Sequence, residues 1–126
     1  MILDSTFLID LMAGDDAARA KLDELVADAE PLSVSALTVT EVGRGLRDPA
    51  TRETFDDVMA DVAVVPFGYT EARRAAGLLR RLDEAGNAIG AVDAMIAATA
   101  LERNEKVLTR TVAEFRRVEG LRSTPY

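Results

Sequence analysis

Histidine and cysteine are both absent from this chain of 126 residues. The absence of cysteine excludes disulfide bonds, a thiol nucleophile and thiolate metal sites. The absence of histidine excludes Ser-His-Asp and Cys-His catalysis, imidazole-bound zinc and the usual near-neutral general base. Any catalysis must therefore use carboxylates, hydroxyls, lysine, arginine or a metal held by oxygen ligands. Sites made only of oxygen ligands favour Mg²⁺, Mn²⁺ or Ca²⁺.

Long apolar runs and an excess of positive charge are also missing. No run reaches the roughly 20 residues that a transmembrane helix needs, and no charged leader with a cleavage site is visible. We therefore expect a cytoplasmic protein without a membrane partner. The formal charge of −7 argues against a nucleic-acid partner, but the charge is uneven, with −9 on residues 1–66 and +2 on residues 67–126. A local basic patch can still bind phosphate.

Hydrophobic periodicity divides the chain into alternating strands and helices. Such alternation favours a parallel sheet that is covered on both faces. At this length the prediction is a single α/β domain with a central parallel sheet of four or five strands flanked by helices. Strands are expected at 1–4, 32–35, 62–65, 106–109 and 121–124, and helices directly after the first strand and at 15–29, 36–47, 51–59, 70–85 and 93–101.

Asp4 lies where the first apolar strand ends and a helix begins. In an open α/β sheet the ligand crevice lies beyond the carboxyl ends of the strands, which would place Asp4 at its floor. The same position also suits a helix N-cap, since Asp4 or Ser5 could bond the first free amides of the helix. This stretch by itself leaves both interpretations open.

Asp93 opens a helix that carries no other charge for two turns. Its carboxylate is expected near the core, where an ionised group needs a metal, a cation or several donors. Capping of the helix N-terminus is the alternative. With Asp4 at the same sheet edge, the two carboxylates would repel each other unless a divalent cation bridges them. Carboxylates that hold Mg²⁺ are the usual equipment for phosphodiester hydrolysis.

Four ordered segments of the chain resemble the PIN-domain ribonucleases, and in particular the VapC-type toxins of toxin–antitoxin pairs. They are Leu3–Asp10, Thr38–Val42, Ile89–Leu101 and Val107–Phe115, of which the third is quite specific. The resemblance covers nearly the whole length and implies one PIN domain over residues 1–126. It also implies an endoribonuclease that hydrolyses RNA with a metal-activated water, Mg²⁺ or Mn²⁺ as cofactor, a cognate antitoxin protein and a homodimer.

The resemblance assigns roles to individual residues. Asp4, Glu41 and Asp93 match the three core acids of the family, and Asp4 and Asp93 are the expected metal ligands. Thr6 matches a small polar position beside the first acid that helps to orient the site. Glu41 lies away from the apolar stripe of its helix, so periodicity predicts that it is exposed to solvent. Its place in the site is implied by the resemblance alone.

Two positions depart from the pattern of the family. Glu114 stands where an aspartate is usual, and Thr111 stands where an asparagine is common. Glu114 could still reach a metal-bound water through its longer side chain, so both residues are supporting candidates. Arg110, Arg116 and Arg117 lie close in sequence to Glu114 and are candidates for substrate binding. A solvated face or contacts with a partner protein are the alternatives for these arginines.

Two other functions remain open at this point. A catalytically silent PIN-like module that binds RNA or a partner would fit the departures at Thr111 and Glu114. A receiver-like signalling domain also gathers acids around Mg²⁺ at strand ends. It requires paired acids after the first strand and a lysine on the last strand, which Asp4-Ser5 and the stretch near Lys106 fit poorly.

Overall fold

The computed structural model describes residues 1–126 as five strands and seven helices. The prediction of an α/β fold around a parallel sheet is confirmed, and the sheet has five strands. The strands are β1 (Ile2–Leu3), β2 (Ser33–Ser35), β3 (Ala63–Val65), β4 (Val107–Leu108) and β5 (Ser123–Thr124), and the helices are α1 (Ser5–Met12), α2 (Asp16–Ala27), α3 (Ala36–Gly43), α4 (Pro49–Met59), α5 (Tyr69–Glu84), α6 (Ala91–Arg103) and α7 (Val112–Phe115).

The sheet has the order β3-β2-β1-β4-β5, and every neighbouring pair is parallel. β1 lies in the centre, where Ile2 is aligned with Ser33 on one side and Val107 on the other. The chain builds outward from β1 to β3 and then returns to the opposite side of β1 with β4. The direction of strand addition therefore reverses between β1 and β4, and a reversal of this kind opens a crevice at the carboxyl ends of the strands.

Helices cover both faces of the sheet. Successive strand residues point to opposite faces, so Ile2 and Val107 are buried in the core formed with α5, α6 and α7. Leu3 and Leu108 are buried in the core formed with the first four helices. The helix α6 is buried nearly all round, as its lack of charge predicts. No helix is both long enough and apolar enough to cross a membrane.

Two helix boundaries near the carboxyl edge differ from the prediction. α3 ends at Gly43 instead of extending to residue 47, because Gly43 and Gly45 are poor helix formers and the chain continues as turns. α6 begins at Ala91 with Gly90 at its N-cap, so Asp93 lies within the first turn. Asp93 therefore does not occupy the capping position, and the capping interpretation of this residue is wrong.

Candidate active site

The four predicted acids approach the carboxyl edge of the sheet from four elements. Asp4 follows β1 directly, and Glu41 lies on the short helix α3 that begins where β2 ends. Asp93 lies in the first turn of α6, and Glu114 lies on α7 just beyond β4. The crevice between β1 and β4 therefore receives one acid from the central strand and three from the helices around it.

The carboxylate of Asp4 is oriented by two threonines. Asp4 occupies the N-cap position of α1, yet its side chain makes no capping hydrogen bond, and Ser5 is already the first helical residue. Its Oδ2 instead accepts hydrogen bonds of 2.8 Å from Thr6 Oγ1 and 2.8 Å from Thr109 Oγ1. The residue is only 2% exposed. The capping interpretation is therefore wrong for Asp4 and for Ser5, and the Asp4 carboxylate is held towards the crevice.

Backbone amides complete the hydroxyl network around Asp4. A threonine hydroxyl has one proton to donate and two lone pairs that accept. Thr6 Oγ1 accepts from the amide of Arg110 at 3.0 Å, and Thr109 Oγ1 accepts from the amide of Thr111 at 3.0 Å. Both hydroxyl protons are thereby available to Oδ2 of Asp4. The turn after β4 thus orients the side chain at the end of β1, and Thr111 supports the site through Thr109.

Apart from Oδ2 of Asp4, the carboxylate oxygens of the site have no hydrogen-bond partner within the protein. Asp4 Oδ1 takes part in no hydrogen bond within the protein, while Oδ2 takes part in two. Glu41 Oε1 is fully buried and has no partner, and the only other buried side-chain oxygen without one is Thr38 Oγ1. Burying an unpaired carboxylate oxygen is costly, and such exceptions mark strain, catalysis or an ion.

Glu41 is partly buried, so the exposure that periodicity predicts for it is wrong. It follows Thr38 by three positions and therefore lies on the same side of α3. Thr38 is fully buried, which shows that this side of the helix is covered. Apolar periodicity does not reveal a covered polar face. Ser35 fixes the start of α3 by accepting a hydrogen bond from the amide of Leu37 at 3.2 Å.

Burial and neighbouring negative charges raise the pKa of two acids of the site, Glu41 and Asp93. Burial raises the pKa of Glu41, and the negative charges of Asp4 and Asp93 raise it further. Burial also raises the pKa of Asp93, with additional contributions from the charges of Asp4 and Glu114. Asp4, Glu41 and Asp93 make no salt bridge, although the chain contains eight elsewhere. These three acids therefore concentrate negative charge that no arginine or lysine side chain neutralises by direct pairing.

The donor set fits a hard divalent cation. All available donors are carboxylate or hydroxyl oxygens, which suit Mg²⁺ and Mn²⁺. Oε1 of Glu41 is buried without a partner, and the pKa values of Glu41 and Asp93 are raised. Both features are expected of a site whose negative charge is balanced by a bound cation. No group of three or more acids is arranged to hold a metal ion as it stands. An ion would therefore take few ligands from the protein, as is usual for Mg²⁺, which keeps several waters.

The remaining predicted residues line the rim beyond β4. Glu114 is partly buried, and its Oε2 lies 3.6 Å from Arg117 Nη1. Arg117 also donates to the carbonyl oxygen of Ala88 at 2.7 Å. Arg116 is exposed and makes no ion pair or side-chain hydrogen bond. Of these two arginines, only Arg116 has a side chain without a partner in the protein.

Three residues near the site have contacts that the sequence patterns did not predict. Asp10 accepts hydrogen bonds from Arg110 Nη1 at 2.5 Å and from the hydroxyl of Tyr126 at 2.5 Å. Tyr126 is the second of these residues, and Thr109 is the third. Thr109 directly follows a strand of the predicted sheet, and this position is the one feature of the sequence that indicates its place at the site. Asp10 follows Thr6 by four positions, which places both on one side of α1. No sequence pattern around Tyr126 indicates its contact with Asp10, which lies 116 positions away.

An apolar groove adjoins the acidic crevice at Glu41. It encloses about 340 Å³ between α1 and α3, and its lining includes Ile9, Met12, Val42 and Leu46. Ile9 is 48% exposed, although it is a large apolar residue. The crevice is thus bordered by arginines on one side and by an apolar surface on the other.

Comparison with known proteins identifies the family. The family described as PIN domain matches residues 1–121. The chain is 34% identical to ribonuclease VapC10 of Mycobacterium tuberculosis over 122 residues, which are 97% of this chain and 90% of the relative. The structure resembles that of VapBC2 from Rickettsia felis bound to a promoter DNA fragment, with a TM-score of 0.88 and 19% identity over 99% of this chain and 97% of the other.

A further solved structure extends the comparison. VapBC-5 of Mycobacterium tuberculosis, described as a member of the VapBC family of toxin–antitoxin systems, matches with a TM-score of 0.61 and 25% identity. The match covers 74% of this chain and 79% of that one. The resemblance of the four sequence segments to the PIN-domain ribonucleases is confirmed. The alternative of a receiver-like signalling domain is wrong. The chain belongs to the PIN-domain family and, within it, to the VapC-type ribonucleases.

Proposed function

We propose that this protein is a Mg²⁺-dependent endoribonuclease that acts as the toxin of a toxin–antitoxin pair. The observation that carries the proposal is the crevice at the carboxyl edge, where Asp4 is oriented by two hydroxyls and Glu41 has a buried oxygen without a partner. The similarity to VapC10, which is named a ribonuclease, supports the same activity. A water would attack the phosphorus in line and cleave the phosphodiester bond.

Asp4 and Asp93 would hold the divalent ion, Mg²⁺ or Mn²⁺. When bound, the ion supplies charge neutralisation at the scissile phosphate and lowers the pKa of water. Asp4 presents its free Oδ1 to the crevice because Oδ2 is occupied by Thr6 and Thr109. Burial and the charges of Asp4 and Glu114 raise the pKa of Asp93, and its carboxylate makes no salt bridge within the chain. These two carboxylates thus provide the negative charge that a cation requires.

Glu41 is suited to accept a proton in this site. Its pKa is raised by burial and by the charges of Asp4 and Asp93, and a general base works best when its pKa lies near the operating pH. The proton of the attacking water would be taken up by the carboxylate of Glu41. Glu114 supports the site through its charge, which acts on Asp93.

The test is RNA cleavage by the purified protein in Mg²⁺ or Mn²⁺ and in EDTA. We expect Asp4→Asn and Asp93→Asn to abolish metal-dependent cleavage while circular dichroism shows an unchanged fold. Glu53→Gln is the matched control, because Glu53 is an exposed acid on α4 and its loss should leave cleavage intact. Retained cleavage in either aspartate variant would contradict the mechanism. RNA binding without cleavage in the native protein would favour the catalytically silent alternative.

Arg116 is the strongest of the three predicted substrate contacts. Its exposed guanidinium has no partner, whereas Arg117 is held by Ala88 and lies near Glu114. We propose that Arg116 binds a phosphate of the RNA and that Arg117 assists from the rim. Arg116→Ala should raise KM and reduce the salt dependence of RNA binding by about one charge. An unchanged KM at low salt would remove Arg116 from the substrate path.

An antitoxin is the proposed protein partner, as for VapBC-5, which is described as a toxin–antitoxin system. It would cover the acidic crevice with a basic side chain and pack apolar residues into the groove beside Glu41. Ile9→Asn should weaken inhibition by the product of the neighbouring gene without reducing cleavage. Val26→Asn on α2 is the control, since Val26 is 65% exposed and lies outside this groove. Equal inhibition of both variants would place the antitoxin elsewhere.

We also propose that residues 1–126 act as one PIN domain that forms a homodimer in the cytoplasm. The family resemblance supports this assembly. Light scattering during size-exclusion chromatography should give twice the mass of the chain, and the mass of a single chain would contradict the dimer.

A further inference from the structure

We infer that Tyr126, Asp10 and Arg110 form a positioning network that fixes Thr6 and, through Thr6, the metal-binding carboxylate of Asp4. The inference rests on the proposed function, because it concerns how the same site is oriented. It assigns Arg110 a different role from substrate contact. The residues involved come from α1, from the turn after β4 and from the segment after β5, so the network joins three separate parts of the chain.

Asp10 is the centre of the network. Its Oδ1 accepts from Arg110 Nη1 at 2.5 Å, and its Oδ2 accepts from the Tyr126 hydroxyl at 2.5 Å. Both oxygens of the carboxylate are therefore engaged by protein donors, and its side chain is 18% exposed. A site carboxylate available for metal or substrate would need a free oxygen, as Asp4 has. Asp10 is thus placed to orient its neighbours.

Tyr126 connects Asp10 to the backbone of Thr6. Its hydroxyl lies 3.1 Å from the carbonyl oxygen of Thr6, while its single proton has the closer acceptor in Asp10. The ring packs edge-on against Phe7, with ring centres 5.0 Å apart and an angle of 76° between the planes. Phe7 is fully buried. The ring is therefore anchored in the core, and its hydroxyl reaches the first turn of α1.

Arg110 acts on Thr6 through its backbone. The amide of Arg110 donates to Thr6 Oγ1 at 3.0 Å, and its side chain is tied to Asp10 on the same helix as Thr6. With one lone pair of Thr6 Oγ1 occupied, the hydroxyl proton points to its charged acceptor, Oδ2 of Asp4, at 2.8 Å. The salt bridge therefore holds the turn after β4 against α1 and maintains the direction of this proton.

A positioning role and a substrate contact have different kinetic effects. Loss of an RNA contact raises KM, whereas misorientation of Asp4 lowers kcat with little change in KM. Mutation of a residue that orients a metal ligand typically lowers the metal affinity or the activity by 10–100-fold. Tyr126→Phe is the sharpest variant because it deletes the hydroxyl and keeps the ring that packs on Phe7. Tyr69→Phe is its control, since Tyr69 is 75% exposed and outside the network.

The experiment compares Tyr126→Phe, Arg110→Ala and Tyr69→Phe in three measurements: steady-state kinetics on RNA for kcat and KM, calorimetry for the Mn²⁺ affinity, and NMR for hydrogen exchange at the backbone amide of residue 110. For Tyr126→Phe we expect kcat and Mn²⁺ affinity to fall by about tenfold at constant KM, together with faster exchange at the Arg110 amide. Arg110→Ala should lower kcat in the same way. Tyr69→Phe should match the native protein in all three measurements.

Each alternative outcome decides one of the two proposals. A raised KM with unchanged kcat in Arg110→Ala would make Arg110 a substrate contact and overturn the inference. Native kcat, Mn²⁺ affinity and Arg110 exchange in Tyr126→Phe would overturn it while the proposed nuclease function stands. If the native protein neither cleaves RNA nor binds Mn²⁺, the proposed function fails. In that case the exchange of the Arg110 amide still decides whether Tyr126 holds the turn, and unchanged exchange overturns the inference.

Discussion

Thr109 donates a hydrogen bond of 2.8 Å to Oδ2 of Asp4 across 105 positions of sequence. The two residues meet because Leu3 and Leu108 are aligned in neighbouring parallel strands, so the residue after each strand projects from the same edge. Asp4 is 2% exposed and Thr109 is fully buried. This contact joins the ends of the two central strands and, together with the hydrogen bond from Thr6, orients the Asp4 carboxylate. It therefore links stability to activity.

Thr109→Val should weaken both the fold and the site. The substitution keeps the shape of the side chain but removes the donor to Asp4 and the acceptor for the Thr111 amide. Hydrogen bonds to charged groups contribute about 1.5–3 kcal/mol, so we expect a loss of this order in the free energy of unfolding, measured by urea denaturation. Thr109→Ser keeps the hydroxyl and is the control. A valine variant with native stability and native Mn²⁺ affinity would refute the role of this contact.

The metal-free protein should become less stable relative to Glu41→Gln as the pH rises. The pKa of Glu41 is raised in the folded state by burial and by the charges of Asp4 and Asp93, so the folded protein binds the proton more tightly than the unfolded chain. The stability that this proton provides is present below the ordinary value of 4.5 and is lost as the pH rises through the raised value. Urea denaturation in EDTA at several pH values measures the difference.

The comparison with Glu41→Gln matters because other acids shift in the opposite direction. Hydrogen bonds and a nearby positive charge lower the pKa of Glu105, which therefore adds stability that is lost as the pH falls. That contribution is common to both proteins and cancels in their difference. The native and Glu41→Gln proteins differ in their free energy of unfolding. If this difference stays constant with pH, burial and the neighbouring charges do not destabilise the ionised Glu41 carboxylate.

Divalent metal should raise the thermal stability of the native protein. An ion that binds only the folded state at about 100 times its Kd adds about 2.7 kcal/mol. Mn²⁺ should therefore increase Tm in the native protein and in Glu53→Gln, and the increase should be lost in Asp4→Asn and Asp93→Asn. In EDTA these two aspartate variants should be at least as stable as the native protein, because one repelling charge has been removed. An equal increase in all four proteins would place the ion outside the crevice.

The hydroxyl of Tyr126 should stay protonated at alkaline pH. Burial raises its pKa most, and the hydrogen bond to Asp10 and the charge of Asp10 add to the effect. The chain has two tyrosines and no tryptophan, so Tyr69→Phe leaves Tyr126 as the only phenol. In that variant, ultraviolet absorbance should show tyrosinate only above the usual pKa of about 10, with circular dichroism to detect unfolding. Adding Asp10→Asn should lower the pKa, and an unchanged titration would argue against the Tyr126–Asp10 contact.

Residues that follow strands were predictable from the sequence because strand position fixes their place. Once the sheet was expected to be parallel, Asp4 at the end of the first strand had to lie at the carboxyl edge. The same rule applies to Thr109, although its uncharged hydroxyl gives no signal of its own in the sequence. The four segments of family resemblance added Glu41 and Glu114, which periodicity did not assign to the site.

Contacts between distant side chains could not be predicted from local patterns. Glu41 lies off the apolar stripe of α3, yet it is partly buried, because it lies on the same side of the helix as the buried Thr38. Arg110 resembles a phosphate contact in sequence, while in the fold its guanidinium is paired with Asp10. The position of Tyr126 depends on the path of the chain after β5, which brings the Tyr126 ring into contact with Phe7. Such pairings follow from tertiary packing, and single-sequence patterns do not encode them.

The central strand β1 is synthesised before its neighbour β4, which follows about a hundred residues later. Asp4 cannot receive the hydroxyl of Thr109 until that late segment has left the ribosome, and Tyr126 joins after it. Domains generally fold as units as the chain emerges, so an incomplete chain would lack an ordered site. We therefore expect a nascent chain of this protein to be harmless to the RNA around it, which separates the moment of translation from the onset of activity.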